Sequence, residues 1–118
     1  MFESGRLRHR VDVEKQIRQA NQANGESRVV WSKVHKNVAC RIEYLSGREY
    51  LLAQEKNSEM TARITMRYHP GLKASQRIVH KTKRGTELFN ILAVLPDRES
   101  LQEYVTIPCS AGVSDDGS

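Results

Sequence analysis

Hydrophobic and polar positions alternate along much of this 118-residue chain. The recurring period is two, that of a strand with one buried face. In LRHRVDVEK, Leu7, His9, Val11 and Val13 fall on one side, and Arg8, Arg10, Asp12 and Glu14 on the other. Residues 16–28, QIRQANQANGESR, are polar, contain Asn and Gly, and show little period, so they are expected to form a long exposed loop. β character resumes in VVWSKVHKNVACRIEYL, where Val38, Cys40, Ile42 and Tyr44 keep strict alternation.

The pattern changes at Ser46. Ser46, Gly47, Arg48 and Glu49 form an S-x-x-E capping box, in which the serine oxygen accepts from the Glu49 backbone N–H and the glutamate reaches back to that of Ser46. Tyr50, Leu51, Leu52, Ala53, Gln54 and Glu55 continue as a helix of two turns or slightly more. So short a helix is marginal in water, so it is expected to lie on the sheet or on another subunit. Period two returns in TARITMRY, with Ala62, Ile64, Met66 and Tyr68 inward. The His69, Pro70, Gly71 turn ends that strand. A short strand over residues 76–80, a hairpin turn around Gly85, a more buried strand in ELFNILAVL and a last strand in EYVTIPC complete the series.

About six short strands, turns between them, long loops and one brief helix predict a mainly β fold, a small antiparallel β-barrel, as one domain with its core over residues 5–109. The end, SAGVSDDGS, has no core residues and is expected to be a mobile acidic tail over residues 110–118. There is no internal repeat and no run of about 18 apolar residues, so no membrane-spanning helix is expected. The start, MFESGRLRHR, lacks the apolar stretch of a signal peptide, so cytoplasmic synthesis is expected.

Charge adds an asymmetry. The net charge is +5, yet from Thr86 onward Arg98 alone stands against Glu87, Asp97, Glu99, Glu103, Asp115 and Asp116. A basic body fits a nucleic acid or an acidic protein partner as well as a plain solvated surface. Candidate chemistry is sparse. Cys40 and Cys109 are far apart in the chain and expected as buried thiols rather than a disulfide. His9, His35, His69 and His80 have no metal-ligand spacing, so no metal or cofactor is predicted. Ser46 is explained as a cap, and Cys40 as a small core residue beside Val38 and Ile42. No catalytic residues emerge, which disfavours an enzyme. Tyr44 and Tyr68 share faces with isoleucines and are expected in the core rather than on a base-stacking surface.

Several segments together resemble the phage head-tail adaptor family, also called head closure or head-tail joining proteins. They are GRLRHRV from Gly5 to Val11, Trp31, Ala39 with Ile42, LSGRE, Arg67 with Tyr68, Arg77 with Ile78, Phe89 with Ile91, and a final strand ending at Cys109. The resemblance implies a virion protein of the neck, present in host cytoplasm during assembly. It would form a ring beneath the portal or adaptor ring, close the DNA-filled head and provide the platform for the tail. It also implies a small β-barrel with extended loops, and no catalysis.

Under that resemblance the partners expected are other copies of the chain, the portal or adaptor ring, a tail-terminator or tail-completion protein, and genomic DNA in the channel; no membrane is involved. Arg8, Arg10, Ser46, Gly47, Arg48, Glu49 and Arg67 are the candidate contacts to a neighbouring subunit or partner. Gly47 allows close backbone approach, and Arg48 offers a planar donor to a carboxylate. Gln16, Asn21, Asn24, Gly25, Gln54, Lys56 and Asn57 are candidates for channel or docking loops, and Asp115 and Asp116 for the tail contact. Free subunits carrying +5 are expected to be monomers, with the ring forming only on the portal side. The alternative is a small β-barrel nucleic-acid-binding module.

Overall fold

The computed structural model describes residues 7–20, 25–97 and 103–111. The elements, in order, are β1 (His9–Ala20), β2 (Ser27–Tyr44), α1 (Gly47–Glu55), β3 (Ala62–Arg67), β4 (Arg77–Thr82), β5 (Gly85–Ile91), β6 (Leu95–Pro96) and β7 (Tyr104–Ala111). All the strand pairings are antiparallel. The spatial order is β3-β2-β1-β4-β5-β7-β6, and β7 also pairs with β3. The ladder therefore closes into a ring of six strands, with two-residue β6 on the edge of β7 beyond β5. This is the mainly β, antiparallel architecture that the alternation predicts. Among the described residues no helix is long and apolar enough to cross a membrane.

Alternation places the core. Val13, Cys40, Ile64, Met66, Ile78, Val105, Ile107 and Cys109 are fully buried. Val11, Val38, Ile42, Ala62, Phe89 and Ile91 complete the same cluster. Opposed pairs in register, such as Ile42 with Ile64, Ile64 with Ile107 and Ile78 with Phe89, fill the inside of the ring. The turn at Gly85 takes φ +136°, a left-handed value that glycine adopts without a Cβ penalty. Thr82 Oγ1 secures that turn by donating to the Gly85 carbonyl at 2.8 Å.

Four expectations are corrected. First, residues 16–28 are not one long loop: β1 runs on to Ala20 and β2 starts at Ser27, paired without interruption from Glu14 opposite Lys33 to Ala20 opposite Ser27. The polar sequence hid these strands because neither of their faces meets the core, so no alternation was required. Second, Tyr44 is 57% and Tyr68 55% exposed. Both stand at strand ends, where the alternation continues past the rim of the core. Third, Glu14 is buried, because Arg77 of β4 stands opposite it and bonds it, with the Trp31 ring against that guanidinium. Fourth, ELFNILAVL is not one strand: β5 stops at Ile91, and the chain re-pairs with β7 only at Leu95 and Pro96.

Cys40 and Cys109 are free and buried, as expected. Burial pushes each thiol up to about 12, helped at Cys109 by the proximity of Cys40. Neither is a thiolate at mildly alkaline pH, and neither is accessible. Ellman's reagent should therefore find no reactive thiol in the native protein and both after denaturation. Rapid release from the folded protein would contradict this packing.

Candidate functional site

Two features of the surface are left without partners among the described residues. The first is an arm. The outer edge of β1 pairs with β4 only from Asp12 to Glu14, and that of β2 pairs with β3 only from Cys40 to Tyr44. Residues 15–20 and 27–32 thus form a two-stranded ribbon beyond the body. Six residues of strand extend roughly 20 Å. The molecule is accordingly elongated, 53 × 32 × 29 Å, with a radius of gyration of 15.7 Å where a compact chain of this length would have about 13.5 Å. The far part of the arm, residues 15–20 and 25–29, is exposed, including the apolar Ile17 and Val29. Asn21 and Asn24, between these strands, lie outside the described residues.

Bulges aim the arm. From Val11 to Glu14 on β1, the partners on β2 run from Val38 to Lys33, so β2 carries two extra residues. Asn37 takes φ +53° there, a conformation that Asn tolerates better than most side chains. Such insertions bend a strand and sharpen its twist. Polar contacts hold the bend. The Asn37 N–H donates to Asp12 Oδ1 at 2.9 Å, and Lys33 Nζ lies 3.2 Å from Asp12 Oδ2. His35 Nε2 is 3.0 Å from the Pro70 carbonyl oxygen. Below the bend, Arg77 is 6% exposed and bonds Glu14 Oε1 through Nε at 2.8 Å and Nη2 at 2.6 Å. Its guanidinium lies 4.1 Å from the ring centroid of Trp31. Strand β4 thereby ties both strands of the arm to the body. The sequence analysis missed this cluster, whose residues are widely separated along the chain.

The second feature is α1. Its capping box forms as expected: the Glu49 N–H donates to Ser46 Oγ at 3.2 Å, and the Ser46 N–H to Glu49 Oε1 at 3.1 Å. Glu49 also pairs with Arg63 of β3. No residue of the helix is buried, and Tyr50, Leu51 and Leu52 are exposed, Leu51 by 64%. Within the chain, then, α1 does not sink its apolar residues into the sheet.

The remaining candidates scatter. Arg8 and Arg48 are exposed, and Arg10 Nη1 donates to the Asn37 carbonyl at 3.4 Å. Arg67 is engaged internally, 3.1 Å from Glu103 and over the Tyr104 ring. A Cβ built on Gly47 would meet nothing within 4 Å, so no contact inside the chain requires glycine there. Gln16 sits in the arm opposite Trp31, and Gly25 at the arm's far end with φ +74°. Gln54, Lys56 and Asn57 end the helix, Asn57 with φ +58°. Asp115 and Asp116 lie outside the described residues. The structure thus puts Gln16 and Gly25 on the arm and Ser46, Gly47, Arg48, Glu49, Gln54, Lys56 and Asn57 on or beside the helix, while Arg8, Arg10 and Arg67 lie on neither.

A polar cluster stands at the rim of the ring. Tyr44 donates to Glu87 at 2.7 and 2.9 Å, and His80 Nδ1 is 2.8 Å from the same carboxylate. Burial alone would raise Glu87, but the bonds to His80 and Tyr44 outweigh it and hold Glu87 below its ordinary value. Burial, with the Glu87 carboxylate, pushes the Tyr44 hydroxyl up to about 12. The backbone bond from Asn37, opposed by burial and aided by Lys33, lowers Asp12. The Ser46 backbone and Arg63 lower Glu49.

Comparison with known proteins adds the following. The family model for phage head completion proteins matches residues 2–112. Among solved structures, the chain is similar to the solution structure of protein SF1141 from Shigella flexneri 2a, with 25% identity and a TM-score of 0.70; the match covers 96% of this chain and 99% of that one. No curated protein sequence matches.

Two outcomes are expected from this geometry. Arg77→Ala leaves Glu14 buried without its counter-charge and should lower unfolding free energy by about 3–5 kcal/mol. Denaturation followed by fluorescence tests this, because Trp31 is the sole tryptophan and reports on the base of the arm. Asp12, Glu49 and Glu87 are all depressed in the folded state. Their stabilisation is fully present above the ordinary carboxylate values of 3.8 and 4.5 and is lost as pH falls through the lower native ones. Urea midpoints should drop on the acid side of that range, and Asp12→Asn should flatten the drop.

Proposed function

The chain belongs to the phage head completion protein family, and from that premise we propose that it forms a ring below the portal or adaptor ring, closes the DNA-filled head and carries the tail. The coarser part is given by the family: a structural role at the phage head, in the virion. The finer part rests on one observation. The body's strands close on one another into a ring, while among the described residues the arm, 15–20 and 27–32, pairs with no further strand along either outer edge.

A two-stranded ribbon is marginally stable alone in water, and unpaired strands are templates for pairing with another chain. The arm is therefore suited to a neighbouring subunit or the ring above it, where its edges are covered. The capped helix supplies a second contact, with exposed Tyr50, Leu51 and Leu52 beside Arg48. Aromatic and large aliphatic side chains of this kind form the buried centres of protein interfaces. In this arrangement the free subunit is a monomer, and the ring assembles on its upstream partner. The contact with the next layer of the connector is assigned to the acidic Asp115 and Asp116.

The test is assembly. Heads made without this protein should lose packaged DNA and remain tailless in electron micrographs, and added wild-type protein should restore tails. A Leu51→Asp/Leu52→Asp variant, folded by circular dichroism, should fail to restore them, as should Arg48→Glu to a lesser degree. Tailed, DNA-retaining heads in the protein's absence would overturn the role. Stable rings of the purified protein in light scattering would overturn the assembly order.

A further inference from the structure

A third surface belongs to neither the arm nor the helix. Val11 faces Val38, and Val13 faces Ile78, inside the ring, so Arg8, Arg10 and Asp12 lie on its outer side. Asp12 opposes Val79 of β4, and Lys81 lies two residues further along that strand. Arg10, Asp12, Asn37, Val79 and Lys81 indeed line one shallow depression of about 210 Å³. Arg8 and Arg41 line the next, and the β4–β5 turn adds Lys83 and Arg84. The turn is stiffened by Thr82, whose hydroxyl accepts from the Arg84 N–H at 3.2 Å.

The charge of this surface is nearly unopposed. Asp12 is taken by Lys33 and the Asn37 N–H, Glu43 by Arg41, and Glu87, which lines the same depression as Lys83 and Arg84, by Tyr44 and His80. Arg8, Arg10, Lys81, Lys83 and Arg84 form no ion pair with a carboxylate among the described residues. All five are exposed. Neighbouring strands stand about 4.8 Å apart and alternate residues about 6.6 Å, so the cations are close enough to meet several phosphates at once.

Among the described residues, the surface also lacks what a protein partner uses. The exposed large apolar side chains lie on the arm (Ile17, Val29), on α1 (Tyr50, Leu51, Leu52) and at Tyr44, Tyr68, Leu92 and Leu95. Of these, only Tyr44 stands near the patch, and its hydroxyl is bonded to Glu87. Protein interfaces are built around such residues and are depleted of charge at their centres. A polyanion needs only the cations, and arginine in particular forms forked bonds to phosphate oxygens.

We infer that the face made by Arg8, Arg10, Lys81, Lys83 and Arg84 binds the phosphodiester backbone of duplex DNA without reading its sequence. The inference rests on the proposed function only for where that DNA is met. It names a contact surface distinct from the assembly elements.

Fluorescence anisotropy of the purified full-length chain with a short labelled duplex tests it. With about four phosphates contacted, affinity should fall roughly 100-fold between about 50 and 200 mM salt. Lys83→Glu/Arg84→Glu, with an unchanged circular dichroism spectrum, should bind at least about tenfold more weakly and with a shallower salt slope. Arg18→Glu/Arg28→Glu, on the arm, should bind as the wild type does. No binding at low salt overturns the inference, as does an equal loss from the arm variant. Binding of polyglutamate but not of DNA overturns it in favour of an acidic protein partner. Attachment of wild-type protein to DNA-filled heads is scored separately. Attachment without DNA binding overturns this face and leaves the connector role, whereas DNA binding without attachment does the reverse.

Discussion

The pairing of β7 with β3 on one edge and with β5 and β6 on the other closes the ladder, and the distribution of free edges over the molecule follows from that closure. Backbone N–H and C=O groups at a sheet edge need partners as much as any buried group does. Among the described residues, the two outer edges of the arm, residues 15–20 and 27–32, find no further strand to pair with. A small domain with a modest core can thus be self-sufficient in its body and dependent on neighbours in one projecting element. The same closure brings Ile64, Met66, Val105 and Ile107 together at zero exposure.

The junction between body and arm is built from polar parts. Two extra residues in β2 turn the ribbon away from the ring, and a buried ion pair stands beneath it, sandwiched against Trp31. A buried pair of this kind contributes little net stability compared with apolar packing of the same volume, because both charges lose water. Its geometry is more demanding, however. Arg77 must meet Glu14 on one strand of the arm and the Trp31 ring on the other, which constrains the direction in which the ribbon leaves. That is a specification of direction, the property a docking element needs.

Charge is divided as the contacts are. Cations without carboxylate partners gather on the outer face at the start of β1 and the end of β4. The apolar exposure is on the helix and arm. Membership of the phage head completion family gives these separate surfaces a common setting. Under the proposed role one molecule meets both protein and nucleic acid, and the two call for different surface chemistry.

The strands that border the core were legible in the sequence because burial on one side imposes alternation there: Val38, Cys40 and Ile42, then Ala62, Ile64 and Met66. The capping box was legible because Ser46 and Glu49 satisfy each other locally, whatever surrounds them. The turn at Gly85 was legible for a like reason, since the left-handed backbone requires glycine. Tertiary structure alone decided the rest. It decided that residues 16–20 are strand, since their only partner is β2 and a ribbon exposed on both faces carries no pattern. It left Tyr44 and Tyr68 more than half exposed, Tyr44 beside Phe89 with its hydroxyl on Glu87, because alternation in a sequence does not stop where the core does. It also buried Glu14 against Arg77, 63 residues away along the chain, a pairing that exists only once β1 and β4 are side by side.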